Sequence, residues 1–359
     1  MPLFGITAVL MSCATGPPPP SVPAAMTPLQ ARTTIEKSIP RTVQDGAGWA
    51  VDIHAALTAL AIDPTRENIC AVIAVIEQES GFHVDPVIPG LPNIAWREID
   101  TRAEHAGVPR IVVHTALQLT SPTGRSYGDR IDAARTEKDL SDIYQDLIGA
   151  MPLGKTLFAE RNPIRTRGPM QVNVAFAEQY ASVRSYPYHV KTSIADELFS
   201  RRGSVYFGTA HLLDYQPPYD AYLYRFADFN AGQYASRNAA FQRALSSASG
   251  VPLVPDGALL PHGDKGTGST ELAARTLGQR LHMGDNAIHD ALEQGKGANF
   301  GRTALYERVF AIADKAEGHP LPRAKVPQIQ LHGPKIARRL TTEWYARRVD
   351  QRFKHCLAQ

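Results

Sequence analysis

The amino-acid sequence predicts an all-α protein, and three observations predict it. Apolar residues recur three and four positions apart through most of the chain, as in amphipathic helices. No segment sustains the every-second-residue alternation of a half-buried strand. Proline and glycine punctuate the apolar runs where helices start and stop. The 359 residues are 43% hydrophobic and 20% charged, enough for one large domain or two small ones. A net charge of only +3 argues against a nucleic-acid partner, which calls for a concentrated basic face.

From the N-terminus, residues 3–11 form an apolar core far below the ~20 residues a spanning helix needs, and they read as a secretory signal. No Lys or Arg precedes this core; the other reading is an irregular N-terminal tail. Residues 10–13, Leu-Met-Ser-Cys, resemble the bacterial lipobox, in which the cysteine, here Cys13, is lipidated. Ala14 after it is consistent with outer-membrane sorting. The proline-rich residues 15–23 predict an extended tether. The expected organisation is a signal and tether over 1–26, one helical domain over 27–250 with an insertion at about 88–165, and a C-terminal helical region over 251–359.

Within that frame, residues 33–62 show mixed helical periodicity. Asp63-Pro64 suits a helix start, with Asp as cap and Pro in the first turn, and Gly81 is a natural stop after Ser80. Residues 83–95 read as loop. Helices are expected near 96–120, 131–148, 170–183, 194–215 and 219–246, the last interrupted at "DFNAGQ". Residues 250–268, rich in Gly and Pro, read as a linker. Helices follow near 270–283, 285–294, 302–316 and 334–356. The last carries an Arg-rich stretch, 338–352, with Ile336, Leu340, Trp344, Val349 and Phe353 at helical spacing. It reads as a surface helix with a solvated basic face, or else as a site for an anionic polymer or membrane.

Several chemistries lack an anchor. "GAMPLGKT", residues 149–156, matches the phosphate-loop pattern, but it follows a helical rather than a strand pattern, so nucleotide is not expected. There is no H-E-x-x-H, no G-x-S-x-G and no CxxC; neither a metal nor a cofactor is expected. With Cys13 lipidated, Cys70 and Cys356 remain. In an oxidising compartment they could pair and fasten the C-terminus to the core; equally, Cys70 could be a small buried apolar residue.

The stretch "VIAVIEQESGF", residues 72–82, poses the functional question. Glu79 shares a helix face with Ile76, Val75 and Val72, so its carboxyl is expected to be partly desolvated at a helix C-terminus. Both effects raise a carboxyl's pKa toward the range of a general acid. Glu77 lies on a different side and cannot form a flanking pair with Glu79. Either acid could simply sit in a salt bridge.

Three motifs in order give Glu79 company. "ESGFHVDP" (79–86) resembles the E-S motif of lytic transglycosylases of the soluble, goose-type-lysozyme-like superfamily. "RGPMQVNVAFAEQY" (167–180) resembles that family's G-L-M-Q motif, with Pro169 for Leu. "FADFNAG" (226–232) resembles its A-Y-N-A-G motif, with Phe229 for Tyr. The resemblance covers roughly residues 64–245. The whole chain also resembles an uncharacterised family of proteobacterial lipoproteins.

The resemblance implies a lysozyme-like helical core with a cleft for the glycan strand of peptidoglycan. Glu79 would be the sole catalytic acid/base, and Ser80, Met170, Gln171, Phe229 and Asn230 would bind substrate. The bond cleaved would join N-acetylmuramic acid to N-acetylglucosamine, the muramic C6 hydroxyl closing a 1,6-anhydro ring. The protein would act in the periplasm, held to the outer membrane by its lipid. Ser80 could otherwise end the helix, Met170 and Gln171 could form the first turn of an amphipathic helix, and Asn230 could be a turn residue. The missing Phe229 hydroxyl would leave Glu79 without a hydrogen bond that the family's tyrosine gives, unless Tyr222, Tyr224 or Tyr234 substitutes. Together with the long insertion, this keeps a non-catalytic peptidoglycan-binding protein in view, and a lysozyme-like hydrolase is the third reading.

Overall fold

The computed structural model describes residues 26–151, 162–261, 266–333 and 338–359. The expected secretory segment with Cys13, residues 152–156 of the phosphate-loop match and the first residues of the expected 334–356 helix lie outside the described residues.

The described chain is predominantly helical, as the apolar periodicity predicts. Helix α1 (Pro28–Ser38) opens with a reciprocal cap between Thr27 and Gln30. Helices α2 (Gly46–Ala59) and α3 (Arg66–Glu79) follow. The cap of α3 is Thr65, whose side chain accepts from the Asn68 amide, and not Asp63. Asp63 instead offers its backbone carbonyl to the Asn68 side chain at 2.9 Å. Residues 69–76 of α3 are at most 1% exposed. A helix apolar all round is stable only when surrounded, and α1, α10 (Arg201–Leu213) and α17 (Thr342–Leu357) pack around it.

The segment between α3 and residue 150 folds around its own small core. Helices α4 (Leu91–His105), α5 (Arg110–Ala116), α6 (Tyr127–Ala133) and α7 (Glu137–Ala150) enclose Leu91, Leu117, Tyr127, Ile131 and Ile143. The Ile88 amide, before α4, donates to the Arg135 carbonyl, between α6 and α7, at 2.9 Å.

The expected helix start at Met170 is a correction. Residues 166–173 form a hairpin, β1 (Thr166–Arg167) against β2 (Val172–Asn173), with Thr166 opposite Asn173. Helix α8 (Val174–Val183) starts after it, capped by Asn173. Two-residue strands are too short to leave an alternating pattern. Helices α9 (Ile194–Glu197), α10, α11 (Tyr222–Ala231) and α12 (Ala235–Ser249) complete this half.

A second large core builds on the far half of α12. Phe241, Leu245, Ala274, Leu281, Ile288, Phe300, Val309 and Phe310 pack there. They come from α12, α13 (Ser269–Thr276), α14 (Gly278–Leu281), α15 (Asp285–Glu293), α16 (Ala304–Glu317) and the 3-10 turn at residues 298–302. A short hairpin, β3 (Gln330–Leu331) with β4 (Leu340–Thr341), then turns the chain back to the first core.

Helix α17 is the Arg-rich helix, and its apolar face lies inside the main core. Tyr345, Ala346, Val349, Phe353 and Cys356 are buried against α3 and α11. Trp344, expected on that face, is 37% exposed, because the buried register runs through Tyr345, Val349 and Phe353 instead. Cys356 is disulfide-bonded to Cys70 of α3, across 286 positions of sequence. Among the described residues, no helix is long and apolar enough to cross a membrane.

Candidate functional site

Helix α3 ends at Glu79 because the chain turns left-handed there: Gly81 has φ +57° and Phe82 φ +65°. Phe82 is held by the edge of Trp49, ring centres 5.2 Å apart. The turn leaves Glu79 partly exposed at the end of an otherwise buried rod. Ser80 closes the helix with its own hydroxyl, which donates to the Ile76 carbonyl at 3.1 Å. Glu77, two residues earlier, faces Arg352 at 3.5 Å. The two acids therefore have different surroundings.

Glu79 has a partner that sequence reasoning missed. The Tyr345 hydroxyl of α17 donates to Glu79 Oε1 at 2.5 Å. The phenol keeps its proton: burial, and then the negative charge of Glu79, push its pKa well above the ordinary value. This supplies the hydroxyl that Phe229 cannot. The residues considered as substitutes are committed elsewhere. Tyr222 bonds to Asn68 at 2.7 Å, Tyr224 packs on Tyr219, and Tyr234 packs on Tyr215. The one sequence signal was a tyrosine in the buried register of a helix otherwise Arg-rich.

The same helix reaches Asn230. Thr342 Oγ1 donates to Asn230 Oδ1 at 2.8 Å, which fixes the amide and leaves its NH2 as a donor. Asn230 is exposed, at the last turn of α11. The turn beyond it is organised by Asp228, a fully buried carboxylate. It accepts from the hydroxyls of Tyr215 (2.9 Å) and Tyr219, and from the amides of Tyr234 (3.1 Å) and Ser236 (2.6 Å). Burial raises its pKa, and these donors oppose the rise. Phe229 is only 7% exposed and packs on His211, ring centres 5.0 Å apart.

The hairpin at 166–173 is fitted to α10. Gly168 has φ +73°, and a Cβ there would collide with the Leu198 carbonyl and Ser204. Met170 donates its amide to Ser204 Oγ at 3.0 Å and lies on Gly208, where any side chain would strike it. Met170 is fully buried, so its expected place lining a groove is corrected: it packs the hairpin onto α10. Gln171 sits at φ +49° with its amide held at both ends. Its Oε1 accepts from Thr166 at 3.0 Å, and its Nε2 donates to Glu137 of α7 at 2.8 Å. Arg167, 2% exposed, donates to the Ala195 carbonyl at 2.8 Å and stacks on Phe199.

The structure thus brings Glu79 and Asn230 together through α17, and ties Gln171 to α7. It defines an all-α protein with a tyrosine-bonded glutamate at the end of its central helix. The chain belongs to the family described as "Protein of unknown function (DUF1615)", whose match covers residues 42–359 and so includes α17. It is 48% identical over 351 residues to "Uncharacterized protein YaiW" of Escherichia coli (strain K12), covering 98% of this chain and 96% of that protein. No solved structure matches it.

Proposed function

We propose that this protein is a peptidoglycan lytic transglycosylase with Glu79 as its acid and base. The observation that carries the reading is the Glu79–Tyr345 hydrogen bond. It holds a carboxyl at a half-exposed helix end beside the exposed amide of Asn230.

In the proposed reaction, the protonated Glu79 gives its proton to the glycosidic oxygen as the bond from muramic C1 breaks. The N-acetylglucosamine leaves with a free hydroxyl. The muramic C6 hydroxyl then adds to C1, closing the anhydro ring, and its proton returns to the Glu79 carboxylate. One carboxyl serves because the sugar supplies its own nucleophile, unlike the two-carboxylate arrangement of most glycosidases. Asn230 would donate to a substrate acetamido carbonyl. The Cys70–Cys356 bridge supports an oxidising compartment, in keeping with the periplasmic, Cys13-lipidated, outer-membrane form proposed here.

A second reading, a non-catalytic glycan-binding protein, draws on the buried Met170 and on Gln171 being engaged by Glu137. Incubation with purified sacculi, followed by mass spectrometry, separates the readings. The expected result is release of anhydro-muropeptides, lost by at least roughly 10²- to 10⁴-fold in Glu79→Gln and retained in Glu77→Gln. Reducing ends would indicate a hydrolase; binding to sacculi without release would indicate the non-catalytic reading.

A further inference from the structure

Helix α10 is closed to solvent from Gly203 to Leu213 at every residue but one, His211. Its imidazole lies between two phenyl rings from other helices: Phe176 of α8 at 4.4 Å and Phe229 of α11 at 5.0 Å. Phe176 is itself half-exposed and continues the row onto Tyr180, 5.7 Å away and nearly parallel. The row is joined to the Asn230 turn by sequence, through Phe229, and by the Gln233 side chain, which donates to the His211 carbonyl at 2.9 Å. Among the described residues, neither His211 ring nitrogen has a hydrogen-bond partner.

A core helix that needed only packing here would be served by an aliphatic residue, as at Leu212 and Leu213. Instead, the one opening carries a ring whose edges can hydrogen-bond. Burial pushes His211 down to about 4, so at neutral pH the imidazole is uncharged, with one donor and one acceptor. A half-exposed phenyl ring beside a neutral donor–acceptor pair complements a pyranose, whose C–H surface is apolar and whose rim is hydroxyl and acetamido.

We propose that Phe176 and His211 form a saccharide-binding subsite, beside the Asn230 turn, that takes an N-acetylhexosamine ring of the glycan strand. The subsite rests on the glycan-cleaving reading for its substrate class, but it can be tested apart from cleavage.

The test uses the full chain carrying Glu79→Gln, so that nothing turns over, and titrates it with soluble glycan strands freed of peptide from sacculi. Phe176→Leu and His211→Gln, each in that background, are expected to weaken binding roughly tenfold, the scale of one lost aromatic or polar contact. In otherwise native protein, the same changes are expected to raise KM with kcat within about twofold. His211→Gln nearly conserves volume and Phe176→Leu keeps an apolar side chain, and melting within a few degrees of the parent marks an intact fold; should Phe176→Leu melt early, His211→Gln decides alone. Unchanged binding in the variants, or no binding of strands by the parent, overturns the subsite. Binding that weakens in the variants while native protein releases no muropeptides upholds the subsite and overturns the lytic activity instead.

Discussion

At the scale of single residues, the site depends on one phenol. A hydrogen bond from Tyr345 favours the charged form of Glu79, so its removal should favour the protonated form. If Glu79 acts first as an acid, activity is lost as pH rises through its pKa. Tyr345→Phe is then expected to move the alkaline limb of kcat/KM upward. It should also lower the maximal rate roughly 10- to 100-fold, the range of a lost hydrogen bond to a charged group. A purely structural tyrosine would lower the rate and leave the limb where it was. This role was not legible in the sequence, because Tyr345 lies 266 positions from Glu79 and outside every motif. The position of Glu79 itself was legible, since the apolar run before it and Gly81 after it define a buried helix with an acid at its end.

At the scale of elements, α17 is the piece on which the site hangs. It delivers Thr342 to Asn230 and Tyr345 to Glu79, and the Cys70–Cys356 bridge ties its last turn to α3, with Cα atoms 5.6 Å apart. Reduction of the bridge is expected to lower stability by roughly 2–5 kcal/mol, seen as an earlier melting transition. Muropeptide release should fall several-fold in the same samples as α17 loosens. Full activity in reductant, with melting lowered, would mean that packing alone keeps Tyr345 in place. The sequence conveyed that this helix is amphipathic, but not what its apolar side meets. Helical spacing defines a face and carries no information about which distant helix covers it. Short elements were read least well: the 166–173 hairpin has two-residue strands, and its turn depends on Gly168 and the left-handed Gln171 rather than on any periodicity.

At the scale of the whole molecule, three cores position the candidate residues. The main core holds Glu79, the small core of α4–α7 sends Glu137 to Gln171, and the core built on α12 lies in sequence between the Asn230 turn and the hairpin that returns α17. The motif-bearing stretch is therefore not self-sufficient. A chain ended after residue 333 keeps residues 79–86, 167–180 and 226–232 but loses α17. It is expected to lose cooperative unfolding of the main core by circular dichroism and to release no muropeptides. A stable, active fragment would show that the glutamate needs no partner from α17. The all-α class was legible because apolar periodicity is a local property. The closing of the main core by a helix from the opposite end of the chain was not, because no local property records it.

The bridge between positions 70 and 356 also sets an order of assembly. Contacts this distant in sequence close slowly, after local helices have formed. While a ribosome is still adding α17, α3 lacks both its covalent tie and the donor for Glu79. The candidate site is thus the last part of the protein to form, and a nascent chain would carry Glu79 without its Tyr345 partner.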